Sequence, residues 1–415
     1  MATIVEVLGR RVWDSRGKTT VEAELRLDDG STGRALAPAG ASTGSGEAKS
    51  IPTENAVRAI QTEIRAALVG MDPVAQAEVD RRLIALDGTP DKGRLGGNAL
   101  VAVSLACAHA AAAAARVPLW KHLAGERNVA LPVPQIQIFG GGAHARGRVD
   151  LQDYLLVCPG AGSFTEALDW TAQVYHAAGA RLAKRGTLQG VADEGGYWPS
   201  FKSNEEGLVE LVGAIEDAGL QPGRDAAIAL DIAATQFFRG GRYHLALENR
   251  SLTADQLQVM LGRWLDRYPI VSIEDPVAED DVEGMAAFTR AFGHRVQVIG
   301  DDFFCTDTKR LKDGVARGAC NAVLLKPNQI GTVTETFECW QAAREAGYGA
   351  VVSARSGETE DVSIVHLAVG WGVPQLKVGS FSRSERMAKW NEALRIEEAL
   401  GGRALPFPAG KLYRR

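Results

Sequence analysis

The chain has 415 residues, 46% of them hydrophobic and 23% charged, and a formal net charge of −5. That length exceeds one ordinary core, and the composition is that of a globular protein, so disorder and a membrane protein are both disfavoured. The mild, spread charge offers no clustered Lys and Arg footprint for nucleic acid.

In residues 3–37, Val21, Ala23, Leu25 and Leu27 alternate with Glu22, Glu24 and Arg26, the period of two of a strand. Breaks at Asp14-Ser15-Arg16-Gly17 and Asp28-Asp29-Gly30 predict a small antiparallel meander, although Ile4 and Leu8 interrupt the first alternation around Val5, Glu6 and Val7. Residues 53–69, 73–86 and 97–116 carry helical spacing of apolar positions. Strands followed by helices predict an α+β domain over residues 1–130. The most apolar stretch, residues 99–115, contains Ser104 and His109 and reads as a buried helix, so no membrane contact is expected.

From Pro132 the texture changes. Short apolar runs at 155–157, 227–230, 271–273, 296–299, 322–325, 350–353 and 376–378 alternate with helical stretches. Repeated β and α units predict a barrel of parallel strands over residues 131–415, with chemistry at the carboxyl ends of the strands. Gly140, Gly141 and Gly142 resemble a phosphate loop only weakly and read as a hinge. His244, His294 and His366 read as packing or surface residues, and Trp340 and Trp390 as core. Cys107, Cys158, Cys305, Cys320 and Cys339 lie far apart, which implies reduced thiols. No secretory signal is expected at the start, so the cytoplasm is the expected compartment.

The run ends carry Asp231, Glu274 and Asp275, Asp301 and Asp302, Lys326, Arg355 and Lys377. Asp231, Glu274 and Asp301, from three successive ends, would meet at one mouth as the hard oxygen donors that Mg²⁺ prefers. A lysine beside a metal has its ammonium disfavoured by nearby positive charge and burial, which makes Lys326 a candidate base for a carbon acid. The set points to proton abstraction next to a carboxylate, with a metal to stabilise the resulting charge.

These stretches resemble enolase (phosphopyruvate hydratase), and the likeness runs from Ile4 to about Leu400. It is carried by Asp14-Ser15-Arg16-Gly17, Gly40-Ala41-Ser42-Thr43-Gly44, Asp193-Glu194-Gly195-Gly196 and Ser272-Ile273-Glu274-Asp275-Pro276. It continues in Gly300-Asp301-Asp302, Lys326-Pro327-Asn328-Gln329, Arg355-Ser356-Gly357-Glu358 and Arg383-Ser384-Glu385-Arg386. The resemblance implies a modified (β/α)8 barrel of order ββαα(βα)6 behind an α+β domain, and a homodimer or higher homo-oligomer. It implies two Mg²⁺ sites: Asp231, Glu274 and Asp301 for the first, and Ser42 for a second that arrives with substrate. By the same likeness Lys326 is the base, Glu194 the acid, and Lys377 the partner of the substrate carboxylate. His144 then lies on a mobile loop with Gln152 as a nearby polar contact, Asp153 takes the place of a glutamate, and Arg355 and Ser356 hold phosphate. The implied substrate is a small phosphorylated or phosphonylated acid.

Departures gather at the implied site. Ser353-Ala354-Arg355-Ser356 stands where the family has Ser-His-Arg-Ser, and Gln152-Asp153 where it has Gln-Glu. Pro38-Ala39-Gly40 and Gly140-Gly141-Gly142-Ala143-His144 also differ from the family pattern. Drift in an ordinary enolase is one account. Loss of a bulky ring beside the Arg355 fork suggests another, a larger or differently charged head group, as in the enolase-like carboxyphosphonoenolpyruvate synthases. A catalytically dead scaffold is a third reading, and a racemase or sugar-acid dehydratase branch fits least.

Overall fold

The expected meander forms from β1 (Ile4–Trp13), β2 (Thr19–Leu27) and β3 (Thr32–Leu36), antiparallel in that order. These coordinates are a computed structural model that describes residues 2–401 and 406–408. A register shift between Ile4 and Glu6 explains the broken alternation, because an irregularity there flips which side chains face inward. At the first turn Asp14 Oδ1 accepts from the backbone N–H groups of Arg16 and Lys18, and Gly17 takes a φ of 69°.

The first helical stretch comprises α1 (Thr53–Ala59), a π turn (Ile60–Ile64) and α2 (Arg65–Leu68). It is followed by α3 (Gln76–Asp87), α4 (Gly97–Ala114) and α5 (Leu119–Ala124). Helix α4 is apolar and long enough to span a bilayer, yet nearly all of it is buried against β2 and β3 inside the protein. Gly33 permits that contact, since a Cβ there would meet Ala106 O at 2.1 Å.

The second region opens with β4 (Val133–Gly140) and β5 (Asp153–Val157), then α6 (Phe164–Lys184), the hairpin β6 (Leu188–Val191) with β7 (Tyr197–Pro199), and α7 (Asn204–Asp217). Strand β8 (Ala227–Asp231) leads through the small sheet β9 (Phe238–Arg239), β10 (Arg242–Leu245) and β11 (Arg250–Leu252) to α8 (Ala254–Arg267). The repeats continue as β12 (Ile270–Glu274), α9 (Val282–Phe292), β13 (Gln297–Gly300), α10 (Thr308–Arg317) and β14 (Ala322–Leu325). They end with the short α11 (Pro327–Ile330), α12 (Val333–Glu345), β15 (Gly349–Ser353), α13 (Ser363–Trp371), β16 (Gln375–Ser380) and α14 (Ser384–Leu400).

Strands β4, β5, β8, β12, β13, β14, β15 and β16 close a barrel through the parallel pairing of β16 with β4. Strand β5 runs antiparallel to both neighbours. This is the expected ββαα(βα)6 order.

Six of the seven apolar runs fall wholly in barrel strands, and the seventh, 296–299, begins one residue before β13. The eighth strand, β4, is absent from them because Pro134, Gln135 and Gln137 break its apolar character. Those glutamines are buried and paired, Gln135 with Gln375 at 2.7 Å and Gln137 with Asp153. Helix starts follow local chemistry: Ser163, Ser203, Thr332 and Asp307 each cap one, and Thr253 with Gln256 forms a capping box. Trp340 and Trp390 lie in the core as expected. Of the region read as residues 131–415, residues 402–405 and 409–415 lie outside the described residues.

Candidate functional site

Strand register builds the site. Asp153 pairs with Asp231 across β5 and β8, and Asp231 with Glu274 across β8 and β12, so three carboxylates stand in one row. Asp301 follows the end of β13, and among the described residues Asp231, Glu274 and Asp301 do not bring three oxygens within 4.8 Å of one another. The row is closed to solvent, with Glu274 only 1% exposed. Gln152, one residue before β5, donates its amide to Asp231 Oδ2 at 2.9 Å and accepts from Gln236.

Two lysines face the row. Lys377 projects from within β16 rather than from its end, and its Nζ lies 2.8 Å from Asp231, 2.9 Å from Glu274 and 3.3 Å from Asp153. Lys326 follows β14 directly and reaches Asp301 Oδ2 at 2.5 Å. Burial is the largest influence and disfavours its ammonium, but Asp301 and Glu274 together with the remaining surroundings leave the Lys326 pKa raised above the ordinary value. Burial likewise opposes the charge on Lys377, and Asp231 and Glu274 more than reverse it. At contact distance the charged neighbour of Lys326 is the Asp301 carboxylate, which favours the ammonium, whereas the expected lowering depends on positive charge from a metal.

On the other side of Lys377 stands a second group. His144 Nδ1 is 3.1 Å from Asp153 Oδ1, and its Nε2 is 3.8 Å from Glu194 Oε1. Burial pushes the Glu194 pKa up, the state a proton donor needs, with His144 pulling the other way. For His144 burial opposes the charge, but Glu194 and Asp153 raise its pKa. The glycines before His144 serve close packing, since a Cβ on Gly141 would lie 2.2 Å from Leu151 O.

The head-group side joins both regions. Arg355 is almost fully buried and donates to Glu47 and to the Ser42 carbonyl. The Ser356 hydroxyl accepts from Ala41 N at 2.5 Å and from Arg16 Nη1 at 3.3 Å. Ala354 is buried, and its N–H donates to Lys377 O at 2.8 Å. Arg386, fully buried, ties the segment down by donating to the carbonyls of Arg355, Ser356 and Val378 at 2.7–2.8 Å. Arg16, Glu47, Gln137, Gln236, Gln329 and Arg386 thus belong to the site or its support. Some of them stand inside the quoted motifs, but no periodicity or spacing assigns them a role.

Carboxylates outnumber cations here. Asp231 Oδ1 and Glu274 Oε1 are buried without a hydrogen-bond partner, an arrangement costly unless a cation satisfies them. Burial first and Asp231 second hold the Glu274 pKa well above normal. Two bare oxygens of this kind on adjacent strands fit a hard dication such as Mg²⁺. Asp301 has both oxygens engaged, by Lys326 and Gln329, and groups with Asp275 and Asp302, their ligand oxygens within 4.8 Å of one another. Asp275 accepts the backbone N–H groups of Asp301 and Asp302 and so shapes that turn. His144, Asp153 and Glu194 form the other such group among the described residues.

Two family models match the chain. One, described as Enolase, N-terminal domain, covers residues 4–123, and the other, Enolase, C-terminal TIM barrel domain, covers residues 128–412. With the barrel order observed above, these matches place the chain in the enolase family.

Proposed function

We propose that this protein is a Mg²⁺-dependent hydro-lyase that removes water from a 2-phosphoglycerate-like acid with an altered phosphoryl end, carboxyphosphonoglycerate giving carboxyphosphonoenolpyruvate, as in phosphonate and phosphinate natural-product biosynthesis. The observation that supports the elimination is the buried row of Asp153, Asp231 and Glu274 around Lys377, with bare oxygens on Asp231 and Glu274, together with Lys326 on Asp301 and Glu194 beside His144. Asp231, Glu274 and Asp301 would hold a magnesium ion, which would supply positive charge beside the substrate carboxylate, and Ser42 would meet a second ion arriving with substrate.

Lys326 Nζ takes the proton from the carbon next to the carboxylate, for which it must first shed its own proton. Glu194 gives a proton to the departing hydroxyl, so one C–H and one C–O bond break, a C=C bond forms and water leaves. Lys377 faces the substrate carboxylate. His144 and Asp153 set the surroundings of Glu194, and Gln152 steadies Asp231. Arg355 and Ser356 hold the phosphoryl end, where Ala354 in place of the family histidine leaves a smaller side chain. The protein works in the cytoplasm as a dimer or larger homo-oligomer.

Retention of Arg355, Ser356 and the full acid–base set favours one second reading, an ordinary enolase acting on 2-phosphoglycerate. Enol absorbance with each acid in turn, at saturating Mg²⁺, separates the two. Fast turnover of 2-phosphoglycerate removes the reason for a special head group. Absence of any saturable Mg²⁺ uptake in calorimetry leaves only a scaffold.

A further inference from the structure

Loop 38–50 is docked onto the barrel by two carboxylates. Glu279, beyond β12, accepts from Ser45 N at 2.9 Å and from its hydroxyl at 3.0 Å. Glu47, within the loop, accepts from Arg355 Nη1 and Nη2 at 3.0 Å each, a bidentate pair. The two side chains are 3% and 9% exposed, so water screens this pair little.

The Glu47 carboxylate does more than hold Arg355. Its Oε1 also accepts from Gly44 N at 3.1 Å and from Gln329 Nε2 at 3.3 Å. The same Gln329 nitrogen donates to Asp301 Oδ1 at 2.9 Å. One side chain thus touches the loop backbone, the guanidinium and the amide that steadies Asp301. The loop also presses on the guanidinium directly, since a Cβ on Gly40 would lie 2.0 Å from Arg355 Nη2.

Arg355 has five N–H donors. Glu47 takes two and the Ser42 carbonyl one, at 3.0 Å, which leaves the Nε proton and one Nη1 proton, on opposite sides of the guanidinium. Glu47 therefore occupies the end-on edge of the fork and fixes the plane in which the remaining donors point.

We propose that Glu47 is a positioning residue that couples docking of loop 38–50 to the orientation of Arg355 and, through Gln329, to Asp301. The proposal rests on the reading of Arg355 as the head-group holder. Its consequence is that an anion at Arg355 and a closed loop reinforce each other.

The test uses the full chain and compares Glu47→Gln with Glu279→Gln, which loosens the loop without touching Arg355 or Gln329. Amide exchange over residues 41–47 accelerates at least about 10-fold in both variants, while exchange in β8 and β12 is unchanged, which excludes misfolding. Mg²⁺ affinity by calorimetry weakens about 10-fold in Glu47→Gln, as for loss of a group that orients a ligand, and stays within about two-fold in Glu279→Gln. Inorganic phosphate slows loop exchange in the wild type and in Glu279→Gln but has no effect in Glu47→Gln.

Equal Mg²⁺ shifts in the two variants, or equal protection by phosphate in both, overturn the proposal. So does a wild-type loop that phosphate leaves unprotected. If the wild type takes up no Mg²⁺, the functional reading fails, and the phosphate-dependent exchange alone decides the coupling.

Discussion

The two halves of the site are built differently. The half around Asp231, Glu274, Lys326 and Lys377 comes from barrel strands, where register sets every position and each charge is met by another at 2.5–2.9 Å. The half around Arg355 and Ser356 is assembled from loops of both regions, with Ser42, Arg16 and Glu47 contributed by the first. Strand-held groups change only if the barrel changes, whereas loop-held groups shift with a single neighbour. The departures from the family motif touch the second half at Ala39 and Ala354, and on the acid side of the first half at Asp153. Asp231, Glu274, Asp301, Lys326 and Lys377 themselves match the family motif.

The largest effect expected from breaking this contrast is on the strand half. Lys326→Met removes the proposed base and should lower kcat by about 10,000-fold at unchanged fold, read by enol absorbance alongside circular dichroism. A drop below about 10-fold would assign proton removal to another group.

Next is a pH effect on the seam that brings the first region, and so its loop, to the barrel. His109 on α4 bonds Ser363 Oγ on α13 at 2.8 Å, and its ring meets His366 edge-on at 6.1 Å. Burial, and then His109, lower the His366 pKa to about 4, with Glu392 and Asp361 opposing. A histidine depressed in the fold favours the folded state fully above its unfolded pKa near 6.5. That contribution fades as pH falls from about 6.5 to about 4 and amounts to about 3 kcal/mol at most. Urea unfolding at pH 7 and pH 4.5 measures the slope, which His366→Phe should flatten.

On the loop half, Arg355→Lys exchanges a planar fork for a point charge and should cost about 2 kcal/mol, a roughly 30-fold rise in KM with a smaller change in kcat. Equal falls in kcat and kcat/KM would instead assign Arg355 to the transition state alone. The smallest effect sharpens the comparison most. Ala354→His should shift the kcat/KM ratio toward 2-phosphoglycerate by about 10-fold, the scale of a steric change in a pocket. No shift in that ratio would separate Ala354 from substrate choice.

Much of the strand half was legible in the sequence. A run of β-branched and apolar residues ending in a charged one marks both the strand and its functional tip, which is why Asp231, Glu274, Asp301 and Lys326 could be read directly. Lys377 was read as a run end, although Leu376 and Val378 continue the run on both sides and β16 extends past it to Ser380. The first barrel strand escaped because its inward glutamines look polar until Asp153 and Gln375 are seen beside them.

The order of elements and the chemical types at strand tips follow from the sequence, since periodicity and local chemistry act over a few residues. Which charges neutralise one another does not. Glu47 meets Arg355 across 308 positions and Arg16 meets Ser356 across 340, so only the closed fold brings them together. The direction in which the Lys326 pKa moves belongs to the same class, because a pKa depends on the field of every group around it and not on the order of residues along the chain.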